Sequence, residues 1–159
     1  MQAALAYGVV SREALTAEPG LLFLQGLIAG RHPAPPFSKA TGILLTEVEA
    51  GRVVFTGVPS ADFFNPLGTV HGGWTAALLD SAMACAVHST LKAGEGYTTL
   101  EMKLNYVRAV MPEAGVLTCE GVVIHRGGSI ATSEGRVLDG QGRLLAHGTE
   151  TCMIFSGRR

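Results

Sequence analysis

The run Asn65-Pro66-Leu67-Gly68-Thr69-Val70-His71-Gly72-Gly73 leads into a long apolar segment that carries a single carboxylate, Asp80. Two glycines at a helix start let a ligand or another backbone approach closely, because no Cβ stands in the way. The first-turn N–H groups of such a helix lack intrahelical partners and lie at the positive end of its dipole. Together they suit an anion, or a carbonyl oxygen that gains negative charge during a reaction. Asp80 needs a separate reason to exist. Placing an ionisable group in apolar surroundings is costly, so a carboxylate kept there is a candidate base.

Gly72 and Asp80 are eight residues apart, which is roughly 12 Å along one helix at 1.5 Å per residue. One chain therefore does not easily bring both to the same reacting atom. Two antiparallel copies of the helix do, with Asp80 of one near Gly72 of the other. The spacing predicts two equivalent sites, each shared across a two-fold dimer.

The elements that must hold these groups follow from patterning. Residues from about Ser11 to Gly30 read as a short helix, ended by His32-Pro33-Ala34-Pro35-Pro36. Ile43–Val48 and Arg52–Val58, joined across Gly51, read as a hairpin. A polar loop from Pro59 to Val70 precedes the long helix, Gly72 to about Lys92, which is apolar on every side and so is expected to be buried. Thr98–Val107 alternates, with Leu100, Met102, Leu104 and Tyr106 on the apolar face and Thr99, Glu101, Lys103 and Asn105 on the other. Val116–His125, Ser129–Leu138 and Leu144–Phe155 continue an antiparallel meander. Ala131, Ser133 and Gly135 are small enough to leave room for a helix against the sheet.

The whole chain has 159 residues, enough for one domain, and a net charge of −1. Charged residues make up 16% and mean hydropathy is +0.30, so surface hidden against copies of itself is expected. Intrinsic disorder is excluded by that hydropathy, and an electrostatic nucleic-acid binder lacks its positive excess. No segment reaches the roughly 18 apolar residues of a membrane span, and no export signal is legible, so a cytoplasmic location is expected. Cys85, Cys119 and Cys152 read as three reduced thiols, with no metal-ligand spacing.

Asn65-x-x-Gly68-x-x-His71-Gly72-Gly73 followed by Asp80 resembles the signature of PaaI-type hotdog-fold acyl-CoA thioesterases, the phenylacetic acid degradation type. The resemblance runs from about Gly42 to Phe155. It implies an α+β hotdog fold over residues 41–156, an antiparallel sheet wrapped around one long helix; residues 1–40, read from their own pattern as an N-terminal helical extension, lie outside it. It implies hydrolysis of an acyl- or aryl-CoA thioester to free acid and CoA, without a cofactor, by a homodimer or homotetramer. By that similarity the Gly72 N–H polarises the carbonyl and Asp80 from the partner chain activates water or attacks directly. Asn65 holds water or carbonyl, and Thr99, with Thr98 as fallback, orients the water.

His71 is either a base or a histidine that fixes the turn. For CoA phosphates the turn Arg126-Gly127-Gly128-Ser129 offers a guanidinium beside backbone N–H groups, and Arg108 is a second candidate. Gly73 adds an N–H, Trp74 and Met83 either pack in the core or line an acyl pocket, and Asp62, Phe63 and Phe64 lie just before the motif, where they could gate the acyl channel. A hotdog dehydratase or hydratase, which wants a histidine paired with a carboxylate at other spacing, and a non-catalytic acyl-CoA sensor are the competing readings.

Overall fold

The period-two runs form six strands, and the apolar run too continuous to alternate forms the helix they surround. The computed structural model describes residues 5–156, so the first four residues of the expected extension lie outside the described residues. In chain order the elements are α1 (Arg12–Thr16), α2 (Gly20–Ile28), α3 (Pro36–Thr41), β1 (Ile43–Glu49), β2 (Arg52–Gly57), α4 (Gly72–His88), β3 (Glu95–Tyr106), β4 (Leu117–Arg126), β5 (Ile130–Leu138) and β6 (Leu144–Ser156). The six strands form one sheet in the order β1-β2-β4-β5-β6-β3, every pairing antiparallel. The expected meander from β3 into β4 is thereby corrected: α4, crossing the sheet after β2, delivers β3 to the far edge beside β6, and β4 pairs with β2. The helix α4 lies on one face and touches all six strands. This is the hotdog architecture.

Side-chain size sets how close helix and sheet come. Leu78, Leu79, Ala82 and Met83 on α4 are fully buried against Leu117, Cys119, Val137 and Ala146. On β4, Gly121 lies directly under the helix, where a Cβ would collide with the Ala82 carbonyl. Ala131 and Ser133 of β5 are likewise fully buried. The small residues of the sheet therefore admit the helix, as their sequence positions suggested. The half-exposed stripe of α4 is Ala76, Ala77, Asp80, Ser81 and Cys85.

Several expected boundaries are corrected. The single N-terminal helix is two, because Pro19 biases Glu18 away from helical geometry and breaks the run after Thr16. Pro36 does not continue a loop but opens α3, its ring suiting the first helical position. The long helix stops at His88, not Lys92. There the Ser89 and Thr90 hydroxyls donate to the carbonyls of Ala86 and Val87, and Gly94 at φ +85° turns the chain into β3.

The largest correction is in β3. Its register with β6 shifts between Thr99 and Glu101, so Leu100 has no counterpart. Tyr97 and Thr99 face α4 before the bulge, and Met102 faces it after. Leu100, expected on the buried face, is 53% exposed, and Thr99, expected outside, is inside.

Candidate active site

His71 and Asn65 build the entrance to α4. The Asn65 side chain accepts from the N–H of Leu67 at 2.9 Å and of Thr69 at 3.2 Å, and donates to the Thr69 hydroxyl at 2.8 Å. Its polar atoms hold the loop closed, the turn an Asn-Pro pair favours. The His71 Nδ1 accepts from the Gly73 N–H at 2.8 Å and so caps the helix. That leaves the Gly72 N–H as a first-turn donor with no partner among the described residues.

Gly72 is also pinned from outside. The Tyr106 hydroxyl donates to the Gly72 carbonyl at 2.8 Å. A hollow of about 320 Å³ lies beside it, lined by Val70, Gly72, Thr75, Tyr106, Arg108 and Val110. Arg108 points one N–H at the Leu144 carbonyl, 2.9 Å away, and remains exposed. On the other flank a hollow of about 360 Å³ is lined by Asp62, Phe63, Phe64, His71, Gly73 and Trp74. The Trp74 ring is buried and its indole N–H reaches the Thr41 carbonyl at 2.9 Å. Met83 is not in either hollow; it is packed under Gly135 in the core.

Asp80 lies further along α4, half-buried, and its carboxylate makes no hydrogen bond or ion pair with any described residue. Burial raises its pKa above the ordinary value of 3.8, which suits a base that must give its proton up again. Below it, across the sheet, is a residue that pattern-reading missed. Glu150 of β6 is 1% exposed, accepts the Thr99 hydroxyl at 2.6 Å, and is pushed up to about 7, chiefly by burial and also by the charge of Asp80. The signal was available, because Ala146, Gly148, Glu150, Cys152 and Ile154 share one phase of the alternation, the buried one.

The structure thus gathers two groups. Asn65, Phe64, His71, Gly72, Gly73, Trp74 and Arg108 meet at the start of α4, whereas Asp80, Thr99 and Glu150 lie together further along. Thr98 is exposed, on the opposite face from Thr99. The turn Arg126–Ser129 lies at the far end of α4, where Arg126 donates to the Glu95 carboxylate at 2.7 Å and to the Gly127 carbonyl. The Gly127 N–H goes to the Ile130 carbonyl at 2.8 Å, and the Ser129 carbonyl accepts from Ile154 at 2.7 Å.

Burial pushes the thiols of Cys85, Cys119 and Cys152 up to about 12, so none is a thiolate at neutral pH. No set of ligands suited to a metal ion occurs among the described residues, and no described helix is long and apolar enough to cross a membrane.

A family model described as thioesterase superfamily matches residues 67–146. Acyl-coenzyme A thioesterase 13 of Homo sapiens is 29% identical over 131 residues, covering 80% of this chain and 91% of that protein. The 1,4-dihydroxy-2-naphthoyl-CoA hydrolase of Listeria monocytogenes is 27% identical over 121 residues, covering 76% of this chain and 97% of that one. Among solved structures, a putative thioesterase related to phenylacetic acid degradation from Ralstonia eutropha superposes with a TM-score of 0.75 at 29% identity, over 82% of this chain and 98% of that chain. The PaaI protein of E. coli has the same fold, with a TM-score of 0.75 at 20% identity over 89% of this chain and 97% of that chain.

Proposed function

The chain belongs to the thioesterase superfamily and is a thioester hydrolase; we propose that it cleaves an acyl- or aryl-CoA thioester to free acid and CoA at a site shared between two subunits. The observation that carries this reading is the division of labour on α4. A free Gly72 N–H stands at the helix start, and an unpaired carboxylate, Asp80, stands roughly 12 Å away on the same rod. Antiparallel pairing of two such helices along the stripe of Ala77, Asp80, Ser81 and Cys85 unites them. The names of the human and Listeria relatives, both CoA thioester hydrolases, support the substrate class.

In this scheme the Gly72 N–H, with the dipole of α4 behind it, receives the thioester carbonyl oxygen as it gains charge. The partner subunit's Asp80 takes a proton from water, whose oxygen bonds to the acyl carbon. The carbon–sulfur bond then breaks, and the proton passes to the departing thiolate. Thr99, beside that Asp80, orients the water. Asn65 and His71 act by holding the loop so that only Gly72 offers a free donor, and Gly73 contributes through that cap.

Phe64 and Trp74 border the acyl group. Arg108, exposed beside Gly72, takes a CoA phosphate. The turn of Arg126, Gly127, Gly128 and Ser129, at the opposite end of α4, is carried toward the partner's Gly72 by the same antiparallel pairing. Thr98 flanks Thr99 on the outer face. A cytoplasmic homodimer, paired again into a tetramer, completes the reading.

A thiol-release screen over aryl-CoA and graded-length acyl-CoA thioesters tests it. Release of free CoA from at least one of them, abolished by Asp80→Asn, is expected. Undiminished turnover by that variant removes Asp80 from the mechanism, and a carrier other than CoA is indicated if no CoA thioester is cleaved.

A further inference from the structure

Thr99 has one hydroxyl hydrogen, and it is directed to Glu150 Oε1 at 2.6 Å. A carboxylate that is 1% exposed in a sheet face otherwise lined by Ala146, Gly148, Cys152 and Ile154 is expensive to keep. The other oxygen of Glu150, Oε2, accepts no hydrogen bond from any described residue. Ser133, its direct cross-strand neighbour on β5, also has a buried hydroxyl without a partner. Buried polar atoms are ordinarily satisfied, so this pair is a costly arrangement for a core to retain. It lies close enough to Asp80 that the charge of Asp80 acts on Glu150.

We propose that Glu150 is a positioning residue for the hydrolytic step: by accepting the Thr99 hydrogen it fixes the hydroxyl so that its oxygen lone pairs, and not its hydrogen, meet the attacking water beside Asp80. The inference rests on the role given to Thr99 above. A hydroxyl free to rotate would offer its hydrogen to the water oxygen and hold back the lone pair needed for attack. With the hydrogen committed to Glu150, the water must donate one hydrogen to Thr99 and the other to Asp80, and its remaining lone pair is aimed at the acyl carbon. Oxygen geometry alone, without any change of charge, performs this task.

Charge adds a second, testable consequence. The groups that act on Glu150 are Asp80 and Cys85 from α4, Tyr97 and Glu101 from β3, and Cys152 on its own strand; Ser133 is its neutral neighbour on β5. Burial is the foremost reason that Glu150 titrates at about 7. As pH rises through that value, a second negative charge forms near Asp80 and makes it a stronger base. Turnover of the wild type should step upward there.

The test compares kcat and KM for Thr99→Ala, Glu150→Met, the double variant and Glu150→Gln on the best CoA thioester, with folding checked by thermal melting. Methionine keeps the length and apolar fit but removes the acceptor. Both single variants should lower kcat by about 10–100-fold with KM little changed, the range for a misplaced reacting group. The double variant should lose no more than either single one. Glutamine retains an acceptor oxygen, so Glu150→Gln should recover most of the loss while abolishing the step near pH 7.

Losses that multiply in the double variant overturn the proposal. So does wild-type kcat in a folded Glu150→Met beside a slow Thr99→Ala, which leaves the role of Thr99 intact. Wild-type kcat in Thr99→Ala overturns both. If Glu150→Met does not fold, the pH profile of Glu150→Gln decides, and a step that survives in that variant overturns the proposal.

Discussion

The Tyr106 ring rests on Gly72, with its hydroxyl donated to the Gly72 carbonyl at 2.8 Å. A Cβ at position 72 would meet the phenol oxygen at 2.9 Å and the adjoining ring carbon at 3.0 Å, both from a side chain anchored in β3. An alanine at position 72 would therefore have to push the exposed Tyr106 ring aside and strain that hydrogen bond. Gly72→Ala should displace the helix start and cut kcat/KM by roughly 10-fold or more, in keeping with the sensitivity of reacting geometry to small shifts. Tyr106→Phe, which loses one exposed hydrogen bond, should cost about 0.5–1 kcal/mol in denaturant melts. A Gly72→Ala enzyme as fast as wild type in thiol release contradicts the close packing.

Asp80→Asn should fold with a melting temperature at or above that of the wild type at neutral pH, since it removes a desolvated charge, and lose roughly 10²–10⁴-fold in kcat, the range for removal of a general base. The acid limb follows from its raised pKa. With Asp80 as the base, the wild-type activity should fall as pH drops through a value above the ordinary 3.8, because the carboxylate is the active form. The limb should be missing from the residual activity of the Asn variant across a pH series.

Complementation tests the shared site. Asp80→Ala and Gly72→Pro chains should each be inactive alone, whereas a heterodimer would hold one site in which both groups are native. Unfolding and refolding the mixture should restore up to about half of the wild-type activity per heterodimer, as expected for two equivalent sites of which one is intact. Heterodimers that form, as seen by differential tagging, yet stay inactive contradict the cross-subunit arrangement.

The sequence carried the elements and their antiparallel pairing, because the strands are patterned at period two and set off by turn glycines while α4 is apolar on every side. It did not carry the strand order, since β3 pairs with β6 and not with β4 as a meander requires. Gly72 and Asp80 stand out in it as candidates because glycine pairs at a helix start and a lone carboxylate in an apolar run are unusual compositions. It did not carry the facing of Thr99, since a bulge is set by two-strand register and leaves no mark in the local alternation of β3. Glu150 was overlooked for a different reason. A single acid in a strand reads as a solvent-facing residue unless its phase is compared with Ala146 and Cys152.

Two buried groups make opposite contributions to stability against pH. His88, stacked on Phe23 with ring centroids 5.6 Å apart and 7% exposed, is held down to about 4 from 6.5 by burial. Its stabilisation is present above pH 6.5 and is lost as pH falls toward 4. Glu150, raised from 4.5 to about 7, stabilises below pH 4.5 and loses that contribution as pH rises through 7. Each effect is at most roughly 3.5 kcal/mol, at about 1.4 kcal/mol per pH unit. Glu150→Gln should therefore gain on the wild type steadily between pH 4.5 and 7 in urea melts, and His88→Phe should gain on it as pH falls from 6.5 to 4. A stability difference that does not vary with pH contradicts the assignment for that residue.

The unmatched Leu100 gives the outer strand a tolerance that its neighbours lack. Excising that one leucine would let Thr99 and Glu101 sit opposite Cys152 and Thr151 in unbroken succession, with Tyr97, Thr99, Met102 and Leu104 all keeping their orientation. Excising Met102 or Lys103 instead would invert everything on one side of the cut. Shortening that preserves every facing is thus confined to the bulge, and a variant of this chain one residue shorter there should still present its hydroxyl to the interior.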